Sequence, residues 1–263
     1  MGVFKASLVG TGFLLCFGAF GVVACGDGGG SGSYSAPSKS SKSFSKYSRA
    51  DLEAEYAKMA DSGDETGRLI LALKSYEPAL YNEFLDAIIA ESKSGKSDYD
   101  AGYAAGEAMR PKFLEAFGKA ILTTNDKNVN DLIDVALETY KHLNNKDPQE
   151  CVNNINGLPP SSMTVIPVKL QQRESKLMVK TFEDGVDRSA RAASQDEVMA
   201  WMIPLMTADA ELSQGFTNLA LPNLTDAQAR VSCNGMITLF EDLKKRPAAE
   251  VATLFRGMAQ MDQ

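Results

Sequence analysis

Histidine is all but missing from this chain: His142 is the only one in 263 residues. A single imidazole limits nucleophile–histidine catalysis to one candidate base and excludes the two-histidine metal motifs. No Gly-x-Ser-x-Gly elbow occurs, and the nearest thing to a glycine-rich phosphate loop, Gly10-Thr11-Gly12, sits inside an apolar N-terminal run. On these absences no catalytic residue, metal ligand or cofactor is expected. Positive charge is in deficit as well, with a formal net charge of −7. An acidic surface repels nucleic-acid phosphates, so nucleic acid is not an expected partner. Two-residue apolar alternation is also lacking, which leaves helix as the main element.

What is present begins at the N-terminus. Met1 to Lys5 is short and positive, and Ala6 to Ala24 is uncharged and apolar, with Leu14, Leu15, Phe17 and Phe20 among its residues. Its length is near the ~20 residues that span a bilayer, so it reads as a signal peptide or as a transmembrane anchor. Gly10, Gly12, Gly18 and Gly21 weaken it as a permanent helix. Val22-Val23-Ala24-Cys25, at its end, resembles the lipobox of bacterial lipoprotein precursors. The resemblance covers residues 1–25 only, and no family is recognised for the rest. It implies cleavage before Cys25, a diacylglyceryl thioether on that cysteine and an acyl chain on the new amino group. The protein would then be anchored to the cell membrane by several chains, which hold where one does not. Gly26 stands where Asp would signal inner-membrane retention, so the resemblance further implies an outer membrane, facing the periplasm, in a two-membrane bacterium. Loss of residues 1–24 removes the one charge of Lys5 and takes the net charge from −7 to −8.

Residues 25–48 follow as lipidated cysteine and tether. Gly and Ser dominate, Lys39, Lys42 and Lys46 are interspersed, and no apolar pattern can pack. A coil of this composition has an r.m.s. reach of about 25–30 Å. It reads as a solvated linker, with contact to anionic lipid or cell-wall polymer the alternative.

The chain has four cysteines. Cys16 leaves with the signal segment and Cys25 takes lipid, which isolates Cys151 and Cys233 in a compartment where disulfides persist. A Cys151–Cys233 bridge is expected, against the alternative of two unrelated buried thiols. Closing a loop of about 80 residues contributes at most about 4.5 kcal/mol on the chain-entropy account.

Residues 49–263 read as an all-α domain of antiparallel helical hairpins. Ser48-x-x-Asp51, Ser194-x-x-Glu197 and Thr225-x-x-Gln228 are capping-box starts, while Pro78 and Pro247 open helices at their first turns. Apolar stripes run through Leu80, Phe84, Leu85 and Ile88, through Leu132, Ile133, Ala136, Leu137, Tyr140 and Leu143, and through Ala229, Cys233, Met236 and Phe240. Pro111 is expected to end or kink a helix rich in small residues, with a new helix over Phe113 to Ile121, and Pro204 to kink another. The segments Pro78–Ile88 and Pro111–Ile121 align without a gap, an offset within the range of helical-hairpin repeats. Residues 153–167, with Pro159, Pro160 and Pro167, read as a long loop or a subdivision point.

Three constellations bear on function. His142 follows Asp134 and Glu138 at one-turn intervals, but those carboxylates fall on a solvated face and read as surface charge. Asp126-x-Asn128-x-Asn130 starts like a calcium loop, yet Asp131 replaces its glycine and Leu137 its bidentate acid; Asn125 or Asp126 reads instead as a helix N-cap. Glu174-Ser175 resembles the Glu-Ser pair of lytic transglycosylases, though Val179-Lys180 stands where that family's motif would continue. It makes Glu174 the nominal acid of an alternative cell-wall glycan hydrolase. A stripe of Met199, Trp201, Met202 and Met206 is the candidate partner contact, since Met surfaces adapt and Trp anchors interfaces; core filling is the alternative. The expected function is a non-enzymatic, membrane-anchored envelope lipoprotein that binds an unidentified envelope protein, as adaptor, assembly factor, inhibitor or immunity-type protein. Small-ligand binding in a helical cavity is the third reading.

Overall fold

The computed structural model describes residues 48–94, 96, 98–158, 160–162 and 164–261. Residues 1–47, and with them the expected signal segment, the expected lipidation site Cys25 and the expected tether, lie outside the described residues. The chain is all-α: eleven helices and no strand occur among the described residues. None of these helices is long and apolar enough to cross a membrane. The contacts divide the described chain into two compact units, residues 48–113 and 114–261.

The first unit holds α1 (Arg49–Asp61), α2 (Glu65–Tyr76), α3 (Pro78–Lys93) and the beginning of α4 (Asp98–Thr123). Ser48 accepts from the Asp51 amide while Asp51 accepts from the Ser48 amide, the reciprocal cap expected of that spacing. Gly63, at φ +87°, makes the turn into α2, and Asp64 caps α2 through the Thr66 and Gly67 amides. Helices α1, α2 and α3 pack on one another around Tyr56, Ile70, Tyr81, Phe84 and Leu85. The Phe84 ring meets Phe113 edge-on at 5.4 Å.

The second unit holds the end of α4 and α5 (Asp126–Lys146), α6 (Pro148–Ile155), α7 (Val168–Glu183), α8 (Gln195–Ala208), α9 (Ala210–Leu219), α10 (Asp226–Leu243) and α11 (Ala248–Met261). Helix α5 is its axis, touching α6, α7, α10 and α11. Of the expected inward stripe of α5, Leu132, Ile133, Ala136, Tyr140 and Leu143 are buried, whereas Leu137 is only half-buried and Val135 joins the core. Tyr140 meets Phe240 of α10, which meets Phe255 of α11, with centroids 5.7 and 6.1 Å apart. Cys151 of α6 and Cys233 of α10, both fully buried, form the expected disulfide with Cα atoms 6.0 Å apart.

The structure departs from the sequence expectations at four places. Helix α4 runs through Pro111 unbroken. The lost hydrogen bond and ring clash are outweighed by the burial of Met109, Phe113 and Ala116 on either side of the proline. Pro78 opens α3 whereas Pro111 sits inside α4, so the two aligned segments do not occupy equivalent places. Helix α6 takes in the start, residues 153–155, of what read as loop, and α9 occupies a stretch for which no element was expected. Each is short and starts on an Asp cap, Asp147 bonding the Gln149 amide and Asp209 the Leu212 amide. The remaining loop, residues 156–167, belongs to the second unit and is pinned at three points. Buried Glu150 accepts the Ser161 N–H at 3.1 Å, His142 Nε2 donates to the Val165 carbonyl at 3.1 Å, and Gln171 Nε2 donates to the Ile166 carbonyl at 2.7 Å.

Candidate functional site

Helix α8 is built from a charged start and an uncharged body. Ser194 and Glu197 cap it reciprocally, and from Val198 to Ala208 no charged residue follows. The Ser194 backbone N–H, with Arg191 and the Ser194 hydroxyl, holds the Glu197 carboxyl below the usual carboxylate range. A body apolar on every side has no periodic preference, so its packing decides which side is core. Val198, Trp201 and Met202 turn inward, and α8 packs on α9 and α11.

The four residues of the Met/Trp stripe are therefore divided. Met202 is buried, and Trp201, 6 % exposed, donates Nε1–H to Asp242 Oδ2 at 3.0 Å beneath the Arg246 guanidinium, 5.9 Å from the ring centre. Met199 and Met206 are half-buried at the helix edge. The large apolar residue that faces outward is Ile203, 52 % exposed, which sequence reasoning did not single out. The signal was present: Ile203 is one turn after Met199 and one before Met206, on the side away from Val198 and Trp201. Pro204 is exposed beside it. It cannot donate to the Ala200 carbonyl one turn earlier.

Along the inner edge of α8 a groove of about 620 Å³ opens toward α11, with Trp201 at its base. The Arg191–Glu197 and Arg246–Glu250 ion pairs line it, and Ala200 and Ala249 keep it open. Each cation there already has an anion, so the groove offers paired donors and acceptors beside an apolar floor.

The other sequence candidates lie elsewhere. Glu174 is 1 % exposed, and burial together with its charge raises the Tyr140 hydroxyl above its ordinary value. A glycan does not reach a carboxyl enclosed in this way. Ser175 is likewise buried and donates to the Gln171 carbonyl at 3.0 Å. The His142 proton sits on Nε2, because the Val165 carbonyl can only accept. Asp134 and Glu138 pair with Lys244 and Arg173 at 2.8 and 2.6 Å. Asn125, not Asp126, is the N-cap of α5, accepting from the Asn128 amide. Among the described residues no group of three or more His, Cys, Asp or Glu could hold a metal ion. No protein-family model, curated protein or solved structure matches the chain.

Proposed function

We propose that this chain is a lipid-anchored envelope lipoprotein whose helical part binds a protein partner without catalysing a reaction. The observation that carries the reading is α8, uncharged from Val198 to Ala208 with Ile203, Pro204 and Ala200 left in solvent. An uncharged helix face ordinarily finds cover, and exposed apolar helix faces mark interaction surfaces. The lipobox-like Val22-Val23-Ala24-Cys25 supports anchoring through Cys25, and Gly26 supports the outer membrane facing the periplasm. The Cys151–Cys233 disulfide supports a compartment outside the cytoplasm. The Gly/Ser-rich composition of residues 26–48 supports a reach of about 25–30 Å from the bilayer.

Two measurements test the two halves of this proposal. Cys25→Ala is expected to release the protein from membranes and to abolish fatty-acid labelling; labelling that persists refutes the anchor. Crosslinking and affinity capture from native envelopes is expected to recover a protein bound through the helical part. Clearing of peptidoglycan by the purified protein, lost in Glu174→Gln, would instead establish a hydrolase.

A further inference from the structure

The stretch of chain that carries α8 is charged with one sign only. Between Arg191 and Arg230 there is no Lys, Arg or His, whereas Asp196, Glu197, Asp209, Glu211 and Asp226 all fall there. The helix itself places Asp196, Met199, Ile203 and Met206 on one outward line, at i, i+3, i+7 and i+10. At its far end Asp209 caps α9, and Glu211 accepts from Asn234 Nδ2 at 2.9 Å. Glu197 is engaged by Arg191 and Ser194, while Asp196 has no hydrogen bond or ion pair among the described residues. The result is an apolar helical strip with carboxylates at both ends, and the cation nearest its start, Arg191, is already paired with Glu197.

Resting on the partner-binding reading above, we infer that this strip docks a basic amphipathic helix supplied by the partner. Its apolar side lies on Met199, Ile203 and Met206, and its Lys or Arg side chains meet Asp196 at one end and Asp209 and Glu211 at the other. Helix-on-helix recognition of this kind uses apolar anchors for affinity and charge for register and encounter rate. Two competing occupants fail on charge. A second copy of the chain brings the same acids together, and an anionic lipid surface is repelled by them.

The full chain in detergent is titrated with a synthetic Leu/Lys amphipathic helix and with a Leu/Glu helix of the same length. The Leu/Lys peptide is expected to bind and the Leu/Glu peptide not. Ile203→Asp and Asp196→Lys are each expected to weaken the binding about tenfold or more. Ile203→Asp leaves the melting temperature near that of the wild type because its side chain faces solvent, whereas Asp196→Lys lowers it slightly by placing a cation in the first turn of α8. Equal binding of the two peptides, or wild-type binding by Ile203→Asp, overturns the inference. A photoreactive residue at position 203 in native envelopes separates it from the broader reading. A crosslink to a basic helical segment of another protein supports it. A crosslink to lipid, to a second copy or to an acidic segment overturns it, as does a partner captured elsewhere on the surface. A chain that yields no protein adduct by any route sinks the partner reading too.

Discussion

Arg256 Nη1 lies 2.8 Å from Asp126 Oδ1, a guanidinium with no exposed surface held against a carboxylate that still faces water. The pair is the outermost contact of a larger arrangement. Arg256 also donates from Nη2 to the Thr124 carbonyl at 2.6 Å, from Nε to Ile121 at 3.3 Å and from Nη1 to Arg191 at 3.3 Å. One side chain of α11 thus satisfies carbonyls at the end of α4, reaches the first residue of α5 and ties down the segment before α8.

Arg256→Met is expected to destabilise the protein by about 3–5 kcal/mol, since it leaves several buried carbonyls without donors. Asp126→Asn is expected to cost less, about 1 kcal/mol, because the partly solvated carboxylate is only one of four acceptors. Urea unfolding of the two variants decides the matter. Equal losses would mean that the ion pair, and not the carbonyl contacts, carries the stabilisation.

Removing the disulfide as Cys151→Ala with Cys233→Ala is expected to cost about 2–5 kcal/mol, read as a shift in denaturation midpoint. The bridge holds α6, an eight-residue helix too short to persist alone, and with it Glu150, which fastens the loop at Ser161. Denatured, unreduced protein should offer neither thiol to an alkylating reagent. Labelling at either position would end the assignment.

Two glycines at the α9–α10 crossing should respond differently to alanine. A Cβ on Gly215 would sit 2.8 Å from the Val231 carbonyl oxygen, a rigid backbone atom, and Gly215→Ala is expected to cost about 1–3 kcal/mol. A Cβ on Gly235 would meet nothing nearer than 3.5 Å, so Gly235→Ala is expected to be neutral or stabilising by up to about 1 kcal/mol through helix propensity. Thermal melts of both variants provide the comparison, and a costly Gly235→Ala would refute the packing argument.

Burial raises the hydroxyls of Tyr56 and Tyr140 above their ordinary value of 10.0, with Tyr81 adding to the first shift and Glu174 to the second. The folded state therefore keeps two protons that the unfolded chain releases. This stabilisation is fully present below the unfolded value of 10.0 and is lost as pH rises from there toward the folded values. Each tyrosine should steepen the loss by about 1.4 kcal/mol per pH unit over that range. The tyrosinate absorbance of this buried pair should then appear together with loss of helical circular dichroism. Ionisation of all tyrosines in a folded chain would contradict the burial.

Much was legible in the sequence where the determining forces are local. Ser48, Ser194 and Thr225 cap the helices that their spacing announces, because a side-chain oxygen satisfies an amide three residues away whatever the fold around it. The core stripes of α5 and α10 follow from a 3.6-residue period with one apolar side. The Cys151–Cys233 pairing follows from elimination once the other two cysteines are assigned to the leader and the lipid site. Only the tertiary structure decided the rest. A helix apolar on all sides carries no periodic signal, so contact with α9 and α11, not the pattern of α8, turned Trp201 and Met202 inward and Ile203 outward. A buried arginine is tolerable only where acceptors converge on it, and those of Arg256 come from positions 65 to 135 residues away along the chain. Local spacing cannot encode that convergence, because it exists only once the helices have packed.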